Sequence, residues 1–260
     1  MLIKIIYFLV IIFANTVGSI SGMGGGVLIK PIFDAIGAHT LATITFYSSV
    51  AVFTMAIVST IRQLRNGVRV YFASAAALSA GSVLGGLLGN IIFEKLLFFF
   101  PDESSVLLIQ IILTIIMLVF VLLFTKENMR SFRLKHWFWY VLVGLFLGGI
   151  ATLLGIGGGP INVTLLMLCF GMSIKPATVY SIITIFFSQL SKLVTVGFTT
   201  GYMVFDLSIL WAIIPAAIIG GLLGAKISNI LPSNKVMFVY RAVIIVVIVL
   251  NIYNLVMIYF

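Results

Sequence analysis

Apolar positions in this chain come in long unbroken runs. They show neither the alternation of a half-buried strand nor the single stripe of a soluble helix. Ser105–Thr125 holds 21 residues and no charge. A helix needs about 20 apolar residues to cross the hydrocarbon of a bilayer. Val236–Tyr259 is a second such run, broken only by Arg241. The pattern predicts an all-α polytopic membrane protein of eight to ten membrane segments.

The pattern occurs twice. Gly22-Met23-Gly24-Gly25-Gly26 matches Gly155-Ile156-Gly157-Gly158-Gly159, 133 positions on. At the same offset Thr45-Phe46-Tyr47-Ser48 matches Thr178-Val179-Tyr180-Ser181, and Phe53 matches Phe186. Gly85-Gly86-Leu87-Leu88-Gly89 matches Gly220-Gly221-Leu222-Leu223-Gly224 at an offset of 135. Three blocks in one order predict two homologous transmembrane repeats, residues 1–125 and 137–260, joined by a basic linker, 126–136. Each repeat reads as a first helix (Ile3–Ser21; Trp137–Leu154), a glycine break and a short apolar segment (Val27–Ile36; Ile161–Phe170). A long helix follows (Leu41–Ile61; Pro176–Val196), then a small-residue helix (Val70–Phe93; Leu207–Ile230) and a closing apolar helix (Ser105–Phe124; Val236–Ile258). The N-terminal run reads as a retained helix, because no small-residue cleavage site follows it.

The short segments leave two topologies open. If each dips in and returns, there are eight spans and parallel repeats. If each crosses, there are five crossings per unit and the repeats are inverted. Lys126, Arg130, Arg133 and Lys135 mark the linker as cytoplasmic by the positive-inside rule, and Arg62, Arg65 and Arg69 belong on the same side. Inversion then also places Lys175, Lys226 and Lys235 inside, so charge favours it. Length opposes it: ten helical residues reach only about 15 Å, half a membrane.

Composition changes this picture little. The chain is 62% hydrophobic and 8% charged, against about 25% charged in a soluble domain. The net charge of +9 sits mostly in short loops, where it orients helices and meets lipid headgroups rather than nucleic acid. His136 beside Trp137 and Trp139 reads as an interfacial belt. Cys169, the single cysteine, is a small buried hydrophobe.

Three features carry candidate chemistry. Gly24-Gly25-Gly26 and Gly157-Gly158-Gly159 break the helix and free backbone N–H groups at membrane depth. A helix starting there points its positive end at the same spot, so one break per repeat makes an anion site or, more plainly, a hinge. Gly86 and Gly221 belong instead to helix packing. Alanine at Gly25 or Gly158 is accordingly expected to cost more in anion binding than in folding, and alanine at Gly86 or Gly221 the reverse. Second, Ser181, Thr184, Ser188, Ser191 and Thr195 lie on one helix face, flanked by Gln189 and Lys192. These hydroxyls line a pathway or bond neighbouring helices at about 0.6 kcal/mol each. The repeat singles out Ser48 with Ser181 and Thr45 with Thr178 as binding candidates. Third, Lys192 lies inside a long helix and can neutralise an anion, whereas Lys30 and Asp34, four apart, are placed to pair.

Six acidic residues, no Cys/His cluster, and no nucleophile-elbow, zincin or P-loop motif predict no enzyme, no metal and no cofactor. The doubled G-x-G-G-G, the Arg65-Asn66-Gly67 loop and GGLLG resemble the sulfite exporter TauE/SafE family over nearly the whole chain. The second half departs, with Thr199-Thr200-Gly201 in place of the basic loop. The resemblance implies a secondary transporter of sulfite, a sulfonate or a related organic anion in a prokaryotic inner membrane, with a coupling proton or cation. The alternatives are an anion channel and a non-transporting membrane assembly factor.

Overall fold

A computed structural model describes residues 2–66, 70–100, 102–125, 131–156 and 158–259. The described residues form ten α-helices: α1 (Leu2–Ser21), α2 (Gly26–Ile36), α3 (Leu41–Arg65), α4 (Phe72–Phe99), α5 (Glu103–Phe124), α6 (Trp137–Leu153), α7 (Pro160–Phe170), α8 (Ile174–Phe198), α9 (Leu210–Ile230) and α10 (Ser233–Tyr259). Among the described residues seven helical segments are long and apolar enough to span a bilayer; α2, α6 and α7 are shorter. The protein is a multi-pass membrane protein, all-helical as its pattern predicts.

Local chemistry sets the boundaries. The Thr40 hydroxyl accepts from the Thr43 N–H and caps α3, while Arg62 and Arg65 meet the negative end of its dipole. The short helices α2 and α7 both stop at a left-handed glycine, Gly37 (φ 65°) and Gly171 (φ 69°). The small-residue helix α4 runs to Phe99, beyond the Phe93 expected, and so includes Glu94 and Lys95.

Contacts at the two faces of the bundle give every helix its direction. At the N-terminal face Lys4 Nζ donates to Ser208 Oγ (2.9 Å), the Leu41 N–H to Glu103 Oε2 (2.9 Å) and the Thr199 hydroxyl to Glu94 Oε1 (3.0 Å). At the opposite, linker face the Tyr71 N–H donates to the Tyr180 hydroxyl (2.7 Å), the Leu134 N–H to Cys169 O (2.8 Å) and Arg241 to Thr125 O (2.6 Å). Thus α3 runs from the N-terminal face to the linker face and α8 runs back. The pairs α4/α9 and α5/α10 are likewise opposed. Tyr7 stacks on Phe33 at 3.7 Å, so α2 folds back along α1. Tyr140 stacks on Phe170 at 3.8 Å, so α7 folds back along α6. These are the directions of the inverted arrangement. α2 and α7 are 11-residue return legs that begin at the glycine breaks, and the Gly24 N–H donates to Gly18 O, so the first break folds back onto α1.

Glycine sets the closest packing. A Cβ on Gly81 or Gly85 would land on the α6 carbonyls of Val141 and Leu145; one on Gly224 would land on the Thr16 carbonyl of α1. Such contacts let α4 lie against α6 and α9 against α1 at backbone distance. At the centre α3 crosses α8, with Phe53 stacked on Phe186 at 5.3 Å. Large apolar side chains such as Phe13, Ile116, Phe146 and Trp211 face outward, where acyl chains lie.

Candidate functional site

The two glycine breaks meet inside the bundle. A Cβ on Gly26, the first residue of α2, would land on the Ile156 carbonyl, while Gly159, before α7, faces Val27 and Met117. Neither helix start has a side-chain cap. Two positive helix ends therefore point into the same interior; α2 keeps first-turn N–H groups free of side-chain acceptors, whereas α7 begins at Pro160, which has no N–H, and its Asn162 N–H donates to Gly159 O (3.1 Å).

Each break rests on the opposite half. Gly22 (φ 73°) backs onto Thr178, and Gly155 (φ 66°) backs onto Thr45. These two contacts are one contact with the halves exchanged, and only glycine meets both the left-handed backbone and the close approach. The hydroxyl chemistry around them differs. Beside the first break Ser181 Oγ donates to Gly22 O (2.5 Å) and Thr178 Oγ1 to Lys175 O (2.7 Å). Beside the second, Thr45 Oγ1 and Ser48 Oγ are buried without a partner.

More unpartnered groups gather at the second break. Ile185 packs on Gly158, and Gln189 and Lys192 follow it on the same face of α8. Both amide atoms of Gln189 are buried without a partner, as is Oδ1 of Asn162 in the first turn of α7. Lys192 is buried; its Nζ donates to Thr152 O at 3.3 Å and lies 5.5 Å from the Phe93 ring centre. The Thr152 carbonyl also accepts from the Gly155 N–H (3.2 Å), so Lys192 reaches the first residue of the break. Lys30 Nζ holds Asp34 Oδ2 at 2.7 Å, as expected, and its Cε lies against Gly155. That is the only ion pair among the described residues.

The candidates thus fall in two places. Gly24, Gly25 and Gly26 share the first break with Thr178 and Ser181. Gly158 and Gly159 share the second with Thr45, Ser48, Gln189 and Lys192; Gly157 lies outside the described residues, as do Arg69, Lys126 and Arg130. The rest of the α8 stripe is structural: Thr184, Ser188 and Thr195 bond their own helix, and Ser191 Oγ donates to Val83 O (2.9 Å). Pattern reading passed over Asn162, although an amide directly after a glycine break was the available signal.

One expectation reverses. A Cβ on Gly25 would land on Asn15 Oδ1, and Gly158 has φ 108° with Ile185 against it. Alanine at either position strains the fold itself. Gly86 and Gly221 have their nearest neighbours at 3.0 and 3.2 Å, so alanine there is the milder change.

Each face carries polar groups, and those at the linker face reach Thr178, beside the first break. A cavity of about 30 Å³ at the linker face is lined by Gln63, Asn66, Lys175 and Thr178. At the N-terminal face the Ser208 hydroxyl and N–H hold the Asp206 carboxyl below its ordinary range, and its carbonyl accepts from the Tyr47 hydroxyl (3.0 Å).

The family model for the sulfite exporter TauE/SafE matches residues 7–254. The chain belongs to the sulfite exporter TauE/SafE family. The probable membrane transporter protein YunE of Bacillus subtilis (strain 168) is 27% identical over 264 residues, 90% of this chain and 92% of that one. No solved structure gives a significant match. Family membership makes this helical bundle a membrane transporter, and its glycine breaks lie inside the matched span.

Proposed function

We propose that this protein is a secondary carrier of a small anion, sulfite or a sulfonate, in a prokaryotic plasma membrane, and that the anion binds at the second glycine break. The observation that carries this reading is Lys192, a buried lysine with a backbone carbonyl for its partner and no ion pair among the described residues. A lone buried cation is costly in a bilayer unless an anion visits it. Ser48 and Gln189 supply unpartnered donors, and the α7 helix start supplies the positive end of its dipole. The three oxygens of a sulfite or sulfonate group accept from such a set. Gly24–Gly26 with Thr178 and Ser181 form the matching frame at the first break, where both hydroxyls already hold backbone carbonyls.

The linker face carries Arg62, Arg65, Arg133, Lys135, Lys175, Lys226, Lys235 and Arg241, against Lys4 and Lys95 at the other face; the positive-inside rule places it in the cytoplasm. Family membership supports transport, and the positive site supports an anion. The test is flux into proteoliposomes across a panel of sulfite, sulfonates and carboxylates. Saturable uptake of sulfite or a sulfonate is the expected result. Absence of flux for every sulfur oxyanion overturns the reading.

A further inference from the structure

We propose that Lys30 and Asp34 form the proton-coupling site of the carrier, with Lys30 moving between Asp34 and the transported anion; this rests on the anion-carrier reading above. The pair is closed at 2.7 Å, with side chains 4% and 5% exposed. A buried ion pair contributes little net stability compared with apolar residues of similar size. The molecule contains its own control. The positions 133 residues on are Val163 and Met167, on the corresponding helix α7. The same half-length return leg is built there without charge, so the fold does not require the pair.

Placement supplies the rest. Lys30 points inward, with Cε against Gly155 of the second break. Asp34 lies one turn from the end of α2, next to the N-terminal face. Around it the Tyr7 hydroxyl and His39 Nε2 are buried without partners. The His39 ring lies 5.8 Å from Tyr7 and 5.5 Å from Tyr47, whose hydroxyl donates to the Asp206 carbonyl at the exposed face. Tyr47, His39 and Tyr7 thus lie side by side between the exposed face and α2, on which Tyr7 stacks through Phe33. The charged and titratable groups facing the pair are Tyr7 from α1, Tyr47 from α3, His39, and Lys192 from α8, which lies within electrostatic reach of Lys30 and of Glu94 on α4. From α10 comes Asn254, uncharged, whose amide donates to Pro31 O at 2.9 Å.

The charge balance follows. Before binding, Lys30 and Asp34 sum to zero charge. An anion at the break draws the Lys30 ammonium away and leaves the Asp34 carboxylate unpaired. The carboxylate takes one proton from the N-terminal face and becomes a neutral acid. Lys30, the neutral Asp34 acid and a monovalent anion again sum to zero, so anion and proton travel together in the same direction. Release of the anion returns Lys30 to Asp34 and expels the proton.

The test uses full-length protein in proteoliposomes with p-toluenesulfonate, which carries no proton of its own at neutral pH, and with sulfite if the sulfonate does not flow. Under a voltage clamp, downhill sulfonate flux is expected to move protons with it. Sulfonate flux without proton movement overturns the coupling and leaves the carrier intact; no flux of either anion overturns the carrier reading, and this one with it. The site is tested by the ratio of proton-gradient-driven accumulation to counterflow exchange. Asp34→Asn is expected to lower that ratio at least tenfold. The double change Lys30→Val with Asp34→Met installs the residues of the other half, and lowers the ratio equally if the single variant fails to insert. An unchanged ratio in either variant overturns the assignment.

Discussion

The two glycine breaks share one geometry and differ in chemistry. Gly22 on Thr178 and Gly155 on Thr45 are the same contact with the halves exchanged. At the first break the hydroxyls are used up in holding the backbone, since Ser181 bonds Gly22 O and Thr178 bonds Lys175 O. At the second they are left open, and two buried lysines stand near them. The same frame therefore occurs twice, while charge and unmet hydrogen-bonding capacity occur at one break. An unmet buried polar group destabilises by about 1–3 kcal/mol, so a cluster of them marks where a ligand is expected to complete the set.

Several experiments break or sharpen this contrast. The largest effect is all-or-none. Cysteine labelling from outside intact cells is expected to reach position 102 and to miss positions 66 and 234; labelling at 234 would show that the halves do not run in opposite directions. Next, Lys192→Gln is expected to raise the KM for p-toluenesulfonate at least tenfold, about 1.4 kcal/mol of lost binding. Ser59→Ala, at the matched position in α3, leaves KM within twofold. Unchanged KM in a well-inserted Lys192 variant returns that lysine to a structural role.

Packing comes third. Gly85→Ala drives a methyl into the Leu145 carbonyl and is expected to cost about 1–3 kcal/mol, read as a lowered Tm in detergent. Gly86→Ala, whose methyl would meet the Ser188 carbonyl at 3.0 Å rather than overlap a carbonyl as at Gly85, lowers Tm less. Equal losses would contradict the packing described for α4 and α6. The smallest effect separates the paired serines. Ser181→Ala breaks a bond to a buried carbonyl and is expected to cost about 1 kcal/mol of stability. Ser48→Ala removes a hydroxyl without a partner, so Tm holds while affinity for the sulfonate falls severalfold. A Tm loss in Ser48→Ala matching that of Ser181→Ala would remove the distinction between the breaks.

Much of the fold was legible in the pattern. Helix ends expected from apolar runs and glycines lie close to those observed for α1, α2 and α7. The Lys30–Asp34 pair followed from a spacing of four. The site was legible only in part. Spacing placed Ser188 and Gln189 side by side on α8 without showing that Ser188 bonds Ile185 O while Gln189 bonds nothing. It also misjudged Gly25, whose obstacle is Asn15 on the preceding helix, a contact made only when α2 folds back along α1.

What the chain determined by itself was local: apolar runs long enough for a bilayer, glycines that stop a helix, cations that sort the loops, and a motif order repeated once. Each depends on residues near one another in sequence. What tertiary structure decided was pairing at a distance. It set Gly155 against Thr45 and Gly22 against Thr178, and brought Lys30 from α2 and Lys192 from α8 to the same break. It also left Ser48 without the partner that its counterpart Ser181 has. Whether a buried hydroxyl is satisfied depends on which remote carbonyl comes within hydrogen-bond reach, and no periodicity along one helix contains that information.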